Sequence, residues 1–221
     1  YKPTGGALMY VLTALLVVVA VVLVILFDKP SEYDARSLTY AAICLATSFA
    51  LSYVKFFTVG AEGGSVTLAS LVPLALYSYM FGIRKGLVAG VVYGFLQFIQ
   101  SPQFYEPTQA LLDYPIAFGV IGLAGIGRKF KWLKGNMFLE FSVGLAIACV
   151  MRYAAHAISG YFVFGGGKIG WAALSYSLAY NSFVFVDLAV DIIVAAALFA
   201  SKSMRRMILL SSAENQTQTQ T

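Results

Sequence analysis

The chain has 221 residues, 60% hydrophobic and only 11% charged, with a mean hydropathy of +0.80, whereas globular domains carry about 25% charged residues. This composition excludes an ordinary soluble domain and describes a polytopic membrane protein. The formal charge of +5 sits in short loops between apolar runs, so it reports orientation in a lipid bilayer and gives no support to a nucleic-acid partner.

About 20 apolar residues cross the hydrocarbon core, and seven runs qualify. The first, residues 7–27, is unbroken, longer than a signal-peptide apolar region and without a small-residue cleavage site, which predicts a retained helix. The others lie at 38–55, 65–83, 86–101, 108–127, 137–165 and 172–200. Only Arg84-Lys85-Gly86 separates the third from the fourth, predicting a tight helical hairpin. The tail 211–221, with its Gln-Thr repeats, has no apolar surface to bury and is expected to be disordered. The domain plan is an extra N-terminal helix and linker at 1–37, a six-helix domain at 38–201, and a basic then disordered tail at 202–221.

Arg84 and Lys85, then Arg128, Lys129, Lys131 and Lys134, then Lys202, Arg205 and Arg206 fall at every second connection. The positive-inside rule makes those connections cytoplasmic, with the N-terminus outside and the C-terminus inside. The linker 28–37, with Lys29 and Arg36, fits the cytoplasmic side because its acids, Asp28, Glu32 and Asp34, count little. Segments 56–64, 101–107 and 165–171 then face outward and carry Glu62, Tyr105, Glu106 and Trp171.

Asp113, Arg152 and His156 are ionisable residues inside predicted spans, where each costs roughly 2.5–3.5 kcal/mol to bury in hydrocarbon. Their neighbours are aromatic or small, as in Leu112-Asp113-Tyr114-Pro115 and Arg152-Tyr153-Ala154-Ala155-His156, which suits a compact intramembrane pocket. Arg152 and His156 lie one turn apart on one helix face. Asp187 and Asp191 share a face at i, i+4, and their charges cannot both persist if buried close together; they fit a structural or solvated role, or a proton-handling site. Cys44 and Cys149 lie inside apolar runs without metal-ligand spacing and fit packing. His156, the sole histidine, has no Cys or carboxylate at metal-ligand spacing, so no metal centre is expected. Gly165-Gly166-Gly167-Lys168 lacks the spacing and context of a phosphate-cradling loop, and no internal repeat or inverted pair of broken helices is visible.

Five segments occur in order: Glu62-Gly63-Gly64-Ser65-Val66-Thr67-Leu68, read as opening a helix; Arg84-Lys85-Gly86 continuing to Gly90 and Gly94; Gln109-Ala110-Leu111-Leu112-Asp113-Tyr114-Pro115; Arg152-Tyr153 with His156 and Ser159-Gly160; and Tyr176-Ser177-Leu178 with Asn181. Together, over roughly residues 38–200, they resemble the thiamine-specific S component of energy-coupling factor (ECF) transporters. The resemblance implies an all-α, six-helix membrane domain, with the 7–27 helix added outside it. It implies capture of thiamine from outside a bacterial plasma membrane and delivery to a separate coupling protein with two ATPase subunits. No enzymatic activity and no cofactor are implied.

The same resemblance assigns ligand contacts to Asp113, Tyr114, Arg152, His156, Gly160, Phe164, Tyr176 and Asn181, with Tyr105 on the outer loop. Thiamine's aminopyrimidine gives and takes hydrogen bonds and stacks, and its thiazolium cation favours aromatic faces and carboxylates. Asp113 and Asn181 would serve the amino and ring nitrogens, Tyr114 and Tyr176 the other polar edges, and His156 and Phe164 would stack. Tyr114 and Tyr176 also fit an interfacial aromatic belt. Where many members have a glutamate and a lysine this chain has Asp113 and Arg152, and a shorter acid facing a longer base predicts a direct Asp113–Arg152 contact. A tryptophan of some members is Phe164 here, and another has no counterpart among Thr58-Val59-Gly60-Ala61. The stripe Ala42, Ala46, Ala50 is smooth enough for close helix approach, and the resemblance assigns it to docking of the coupling protein, against internal packing. Two other functions fit the residues: an S component for a different small solute, and a self-sufficient proton-coupled carrier relaying through Asp113, His156, Asp187 and Asp191.

Overall fold

The computed structural model of the chain describes residues 6–60, 64–163 and 170–218. Helix α1 spans Gly6–Phe27, α2 Ala35–Ser52, strand β1 Lys55–Val59, β2 Gly64–Thr67, α3 Leu71–Phe81 and α4 Ile83–Gln100. Then come α5 at Pro107–Lys129, α6 Met137–Val163, α7 Trp171–Asn181, α8 Phe183–Ala200 and α9 Lys202–Gln218. Among the described residues, four stretches are long and apolar enough to cross a membrane: Ala7–Phe27, Pro107–Lys129, Met137–Val163 and Trp171–Ala200. The fold is the predicted helical membrane bundle, with a small antiparallel hairpin added.

That hairpin corrects the third predicted span. Residues 64–67, expected to open a helix, pair with β1, Thr58 opposite Ser65 and Val59 opposite Gly64. The β-branched Val66 and Thr67 favour the extended form, and Leu68 N–H donates to the Val54 carbonyl at 2.9 Å. Helix begins only at Leu71, leaving α3 eleven residues, about 16 Å at 1.5 Å per residue. The tight turn to α4 is at Gly82, whose φ of 99° suits glycine. Arg84 and Lys85 therefore belong to the first turn of α4 rather than to a loop. Lys85 is buried, with its ammonium 5.4 Å from the Tyr33 ring centre.

The linker after α1 is fastened rather than free. Asp28 accepts from Arg84 N–H at 2.8 Å and lies 3.8 Å from Lys129 Nζ, joining the ends of α1, α4 and α5. Asp34 starts α2 through a capping box, accepting from Ser37 N–H at 2.9 Å while Ser37 Oγ accepts from Asp34 N–H at 3.2 Å. The hydrogen bonds from Ser37 hold the Asp34 carboxyl below the usual carboxylate range.

Helix α5 is irregular for a chemical reason. Pro115 has no N–H and its ring crowds the carbonyl four residues back, and the backbone relaxes into a π turn over Leu112–Ile116, ending in a 3-10 stretch over Val120–Lys129. It packs closely on α4: a Cβ added at Gly94 would come within 2.6 Å of the Tyr114 carbonyl oxygen. The core between α3, α5 and α6 is filled by Leu74, Tyr77, Ile121, Leu123, Phe141 and Leu145, all fully buried. Helix α1 docks on its outside, where Leu16 meets Leu112, Ala117 and Ala155.

The last predicted span, 172–200, breaks at Ser182 into α7 and α8. The tail expected to be disordered is corrected as well: α9 continues in helix to Gln218. Ile208 and Ser211 are buried, and Arg36 Nη2 donates to Ser211 Oγ at 3.4 Å, so the helix is nucleated by docking beneath α2 and α3 and propagates into the polar sequence.

Candidate functional site

The π turn of α5, the C-terminal half of α6, helix α7 and the hairpin converge on one cavity of about 120 Å³. Pi turns recur at functional sites because they redirect side chains, and this one presents Asp113. Its Oδ1 lies 3.0 Å from His156 Nδ1, while its Oδ2 accepts from Ser159 Oγ at 2.8 Å and from Gln109 Nε2 at 2.7 Å. Three donors on one carboxylate fix its position tightly. His156 Nε2, on the opposite side of the ring, is buried without a hydrogen-bond partner among the described residues. The cavity thus has an oriented acceptor and an unused imidazole nitrogen side by side.

Arg152 does not contact Asp113 as expected. Its Nη1 donates to Asp187 Oδ2 at 3.0 Å, with both side chains buried, and its guanidinium lies 5.0 Å from the Phe118 ring centre. The reason is helical rise: His156, one turn nearer the cavity mouth on α6, stands level with Asp113, and Arg152 one turn deeper meets α8. Asp187 Oδ1 also accepts from Thr67 N–H at 3.0 Å and Thr67 Oγ1 at 3.2 Å. The pair therefore ties the hairpin to the cavity floor. Asp191 is not part of it; fully buried one turn further along α8, its carboxyl oxygens have no hydrogen-bond partner among the described residues.

Of the other predicted contacts, Asn181 uses Nδ2 on the carbonyls of Ser177 at 2.9 Å and His156 at 3.2 Å, leaving its Oδ1 as the amide's acceptor. Gly160 permits close packing of α6 on α7, since a Cβ there would strike Ser177 Oγ. Tyr176 lines the mouth, stacked on Tyr180 at 6.0 Å and 22°. Tyr114 lines the cavity with its ring, but its hydroxyl is engaged by the outer loop, donating to the Ser101 carbonyl at 2.7 Å and accepting from Gln103 N–H at 2.8 Å. Tyr105 is half exposed, outside the cavity wall, with its N–H on Gln109 Oε1 at 3.0 Å. Phe164 lies outside the described residues, as do Glu62 and the 165–168 glycine-lysine run. Ala42, Ala46 and Ala50 all lie on the exposed face of α2; its buried face carries Ser37, Cys44, Ser48 and Ser52.

Three residues organise the site without a role assigned to them from sequence: Gln109 and Ser159, which occur in the ordered motifs, and Tyr180, which does not. Gln109 is fully buried and joins Asp113 to the outer loop, also donating to the Gln103 carbonyl at 3.1 Å. Its i, i+4 spacing to Asp113 was the available signal. Ser159 sits three residues beyond His156 on the same face. Tyr180 accepts from Gly64 N–H at 3.1 Å and donates to the Val59 carbonyl at 2.8 Å, holding the hairpin to α7, a long-range contact no local pattern announces.

Residues 38–207 match the family described as "Thiamine transporter protein". The thiamine transporter ThiT of Bacillus subtilis is 35% identical over 150 residues, 64% of this chain and 78% of that protein. ThiT of Lacticaseibacillus paracasei is 29% identical over 151 residues, 63% and 74% of the two chains. Among solved structures, ThiT from Listeria monocytogenes superposes with a TM-score of 0.61 at 23% identity, covering 76% of this chain and 96% of that one, a likeness of fold. The matched region begins within α2 and does not include α1. The chain therefore belongs to the thiamine transporter protein family, a family of transporters and not of enzymes.

Proposed function

We propose that this chain captures thiamine at the outer face of a bacterial plasma membrane as the substrate-binding S component of an ECF-type importer, and passes it to a separate coupling protein energised by two ATPase subunits. The observation that carries the reading is Asp113, held by His156, Ser159 and Gln109 in a membrane-embedded cavity beside a His156 Nε2 with no hydrogen-bond partner among the described residues. Asp113 accepts from the aminopyrimidine, Asn181 Oδ1 takes a second donor, and His156 contributes its free nitrogen or its ring face. Tyr176 and Tyr180, stacked at the mouth, present π faces to the thiazolium cation. Arg152 acts as a positioning residue, since its charge is matched by Asp187.

The orientation we infer, with the N-terminus outside and the C-terminus inside, draws its support from the cations lining the cavity at the opposite end of the bundle, because cytoplasmic connections carry an excess of Lys and Arg. The exposed alanine stripe Ala42, Ala46, Ala50 offers the coupling protein a surface on which another helix can seat closely.

The test is thiamine titration of the detergent-purified chain by quenching of its tryptophan and tyrosine fluorescence, repeated with Asp113→Asn and His156→Ala. Saturable binding weakened by both substitutions is the expected result. A folded chain that binds no thiamine would remove the assignment.

A further inference from the structure

At the opposite end of the bundle a second cavity, of about 770 Å³, lies between the last turn of α1, the linker after it and the ends of α3 and α5. Lys29, Arg128, Lys129, Lys131 and Lys134 line it, against two carboxylates, Asp28 and Glu140. Both acids are already used: Asp28 accepts from Arg84 N–H, and Glu140 accepts from Tyr79 OH at 2.6 Å and Gly135 N–H at 3.3 Å. Arg128 is directed at the Tyr79 carbonyl and ring, and Lys129 is 3.8 Å from Asp28. The ammonium groups of Lys29, Lys131 and Lys134 enter no hydrogen bond or ion pair among the described residues. This leaves an excess of positive charge around a concave space that needs an anion.

The remaining wall identifies the anion's class. Ile25 and Leu26, 64% and 69% exposed, form an apolar side continuous with the exposed face of α1. Trp132, 75% exposed and stacked on Phe130 at 6.1 Å, stands beside the cavity in the manner of an interfacial anchor. A soluble phosphate would satisfy the lysines and leave the apolar wall bare, whereas a phospholipid satisfies both, its headgroup among the cations and its acyl chains along α1. Basic pockets between spanning helices at the cytoplasmic interface take anionic headgroups for this reason. We propose that this cavity seats the headgroup of an anionic phospholipid, which fastens α1 to the bundle.

The experiment is native mass spectrometry of the detergent-purified full chain with phosphatidylglycerol or phosphatidylcholine added, with thiamine binding as the control for folding. Phosphatidylglycerol is expected to remain bound preferentially. The variant Lys131→Gln/Lys134→Gln should hold it roughly 25-fold more weakly, at about five-fold per cation removed, with thiamine affinity unchanged. Equal retention of the two lipids by the unmodified chain would overturn the proposal without recourse to any variant. So would thermal stabilisation by inorganic phosphate alone equal to that by phosphatidylglycerol, which would mark a soluble-anion site.

Discussion

The two ends of the bundle use charge in opposite ways. At the first cavity, apart from the exposed Lys55 in its lining, the charged groups are few and matched atom to atom: Asp113 with three donors, and the buried Arg152 with Asp187. At the other end the cations are numerous, mostly exposed, and surround a space more than six times larger (about 770 against 120 Å³) with few directed bonds. Buried, directed charges give geometric selectivity, and removing one partner leaves the other stranded in low dielectric. Exposed cations give a diffuse field that orients the chain and attracts anions, and any one of them is dispensable.

The largest effect should come from breaking the buried pair. Arg152→Ala strands Asp187 and should lower stability by about 3–5 kcal/mol, read as thermal unfolding in detergent; Arg152→Ala/Asp187→Asn should recover much of that loss, and a double variant no better than the single would show that the pair is not coupled. Next, Asp113→Asn replaces a charged acceptor of three bonds and should weaken thiamine binding by roughly 10- to 100-fold, at about 1.5–3 kcal/mol for a hydrogen bond to a charged group, read by fluorescence titration. Asp34→Ala, at the basic end, removes only a helix cap and should destabilise by about 1 kcal/mol with thiamine affinity retained. Ala46→Leu sharpens the division by uncoupling capture from delivery: binding should be intact while thiamine uptake with the energising module falls. An Ala46→Leu chain that loses binding instead would place the stripe in the pocket's support and not at a docking surface.

Much of this was legible in the residues, and the places where it was not share a cause. Asp113, Arg152 and His156 stood out because a charge in an apolar run is costly and so conspicuous. What they bond could not be read off. The expected Asp113–Arg152 contact treated two nearby charges as natural partners, whereas the depth of each along its helix decided the pairing and delivered Arg152 to Asp187 on α8. The apolar content of the 65–83 run is that of a span and predicts helix, but β1 offers residues 64–67 a strand partner. The composition of the tail 211–221 predicts disorder, while Ile208, just upstream, docks and carries helix to Gln218.

The sequence by itself determined the membrane class, the order of the apolar segments, the basic connections and which ionisable residues lie within apolar runs, because hydrophobicity, length and charge are local properties. Tertiary structure alone decided that Gln109 and Ser159 orient Asp113, that Thr67 ties the hairpin to Asp187, and that α1 and its linker close a basic cavity at the far end. Those outcomes depend on which helix turns come level when α5, α6 and α8 pack, and on backbone approaches such as Gly94 on Tyr114. Such distances arise between segments far apart in the chain and are set by the packing of the whole bundle.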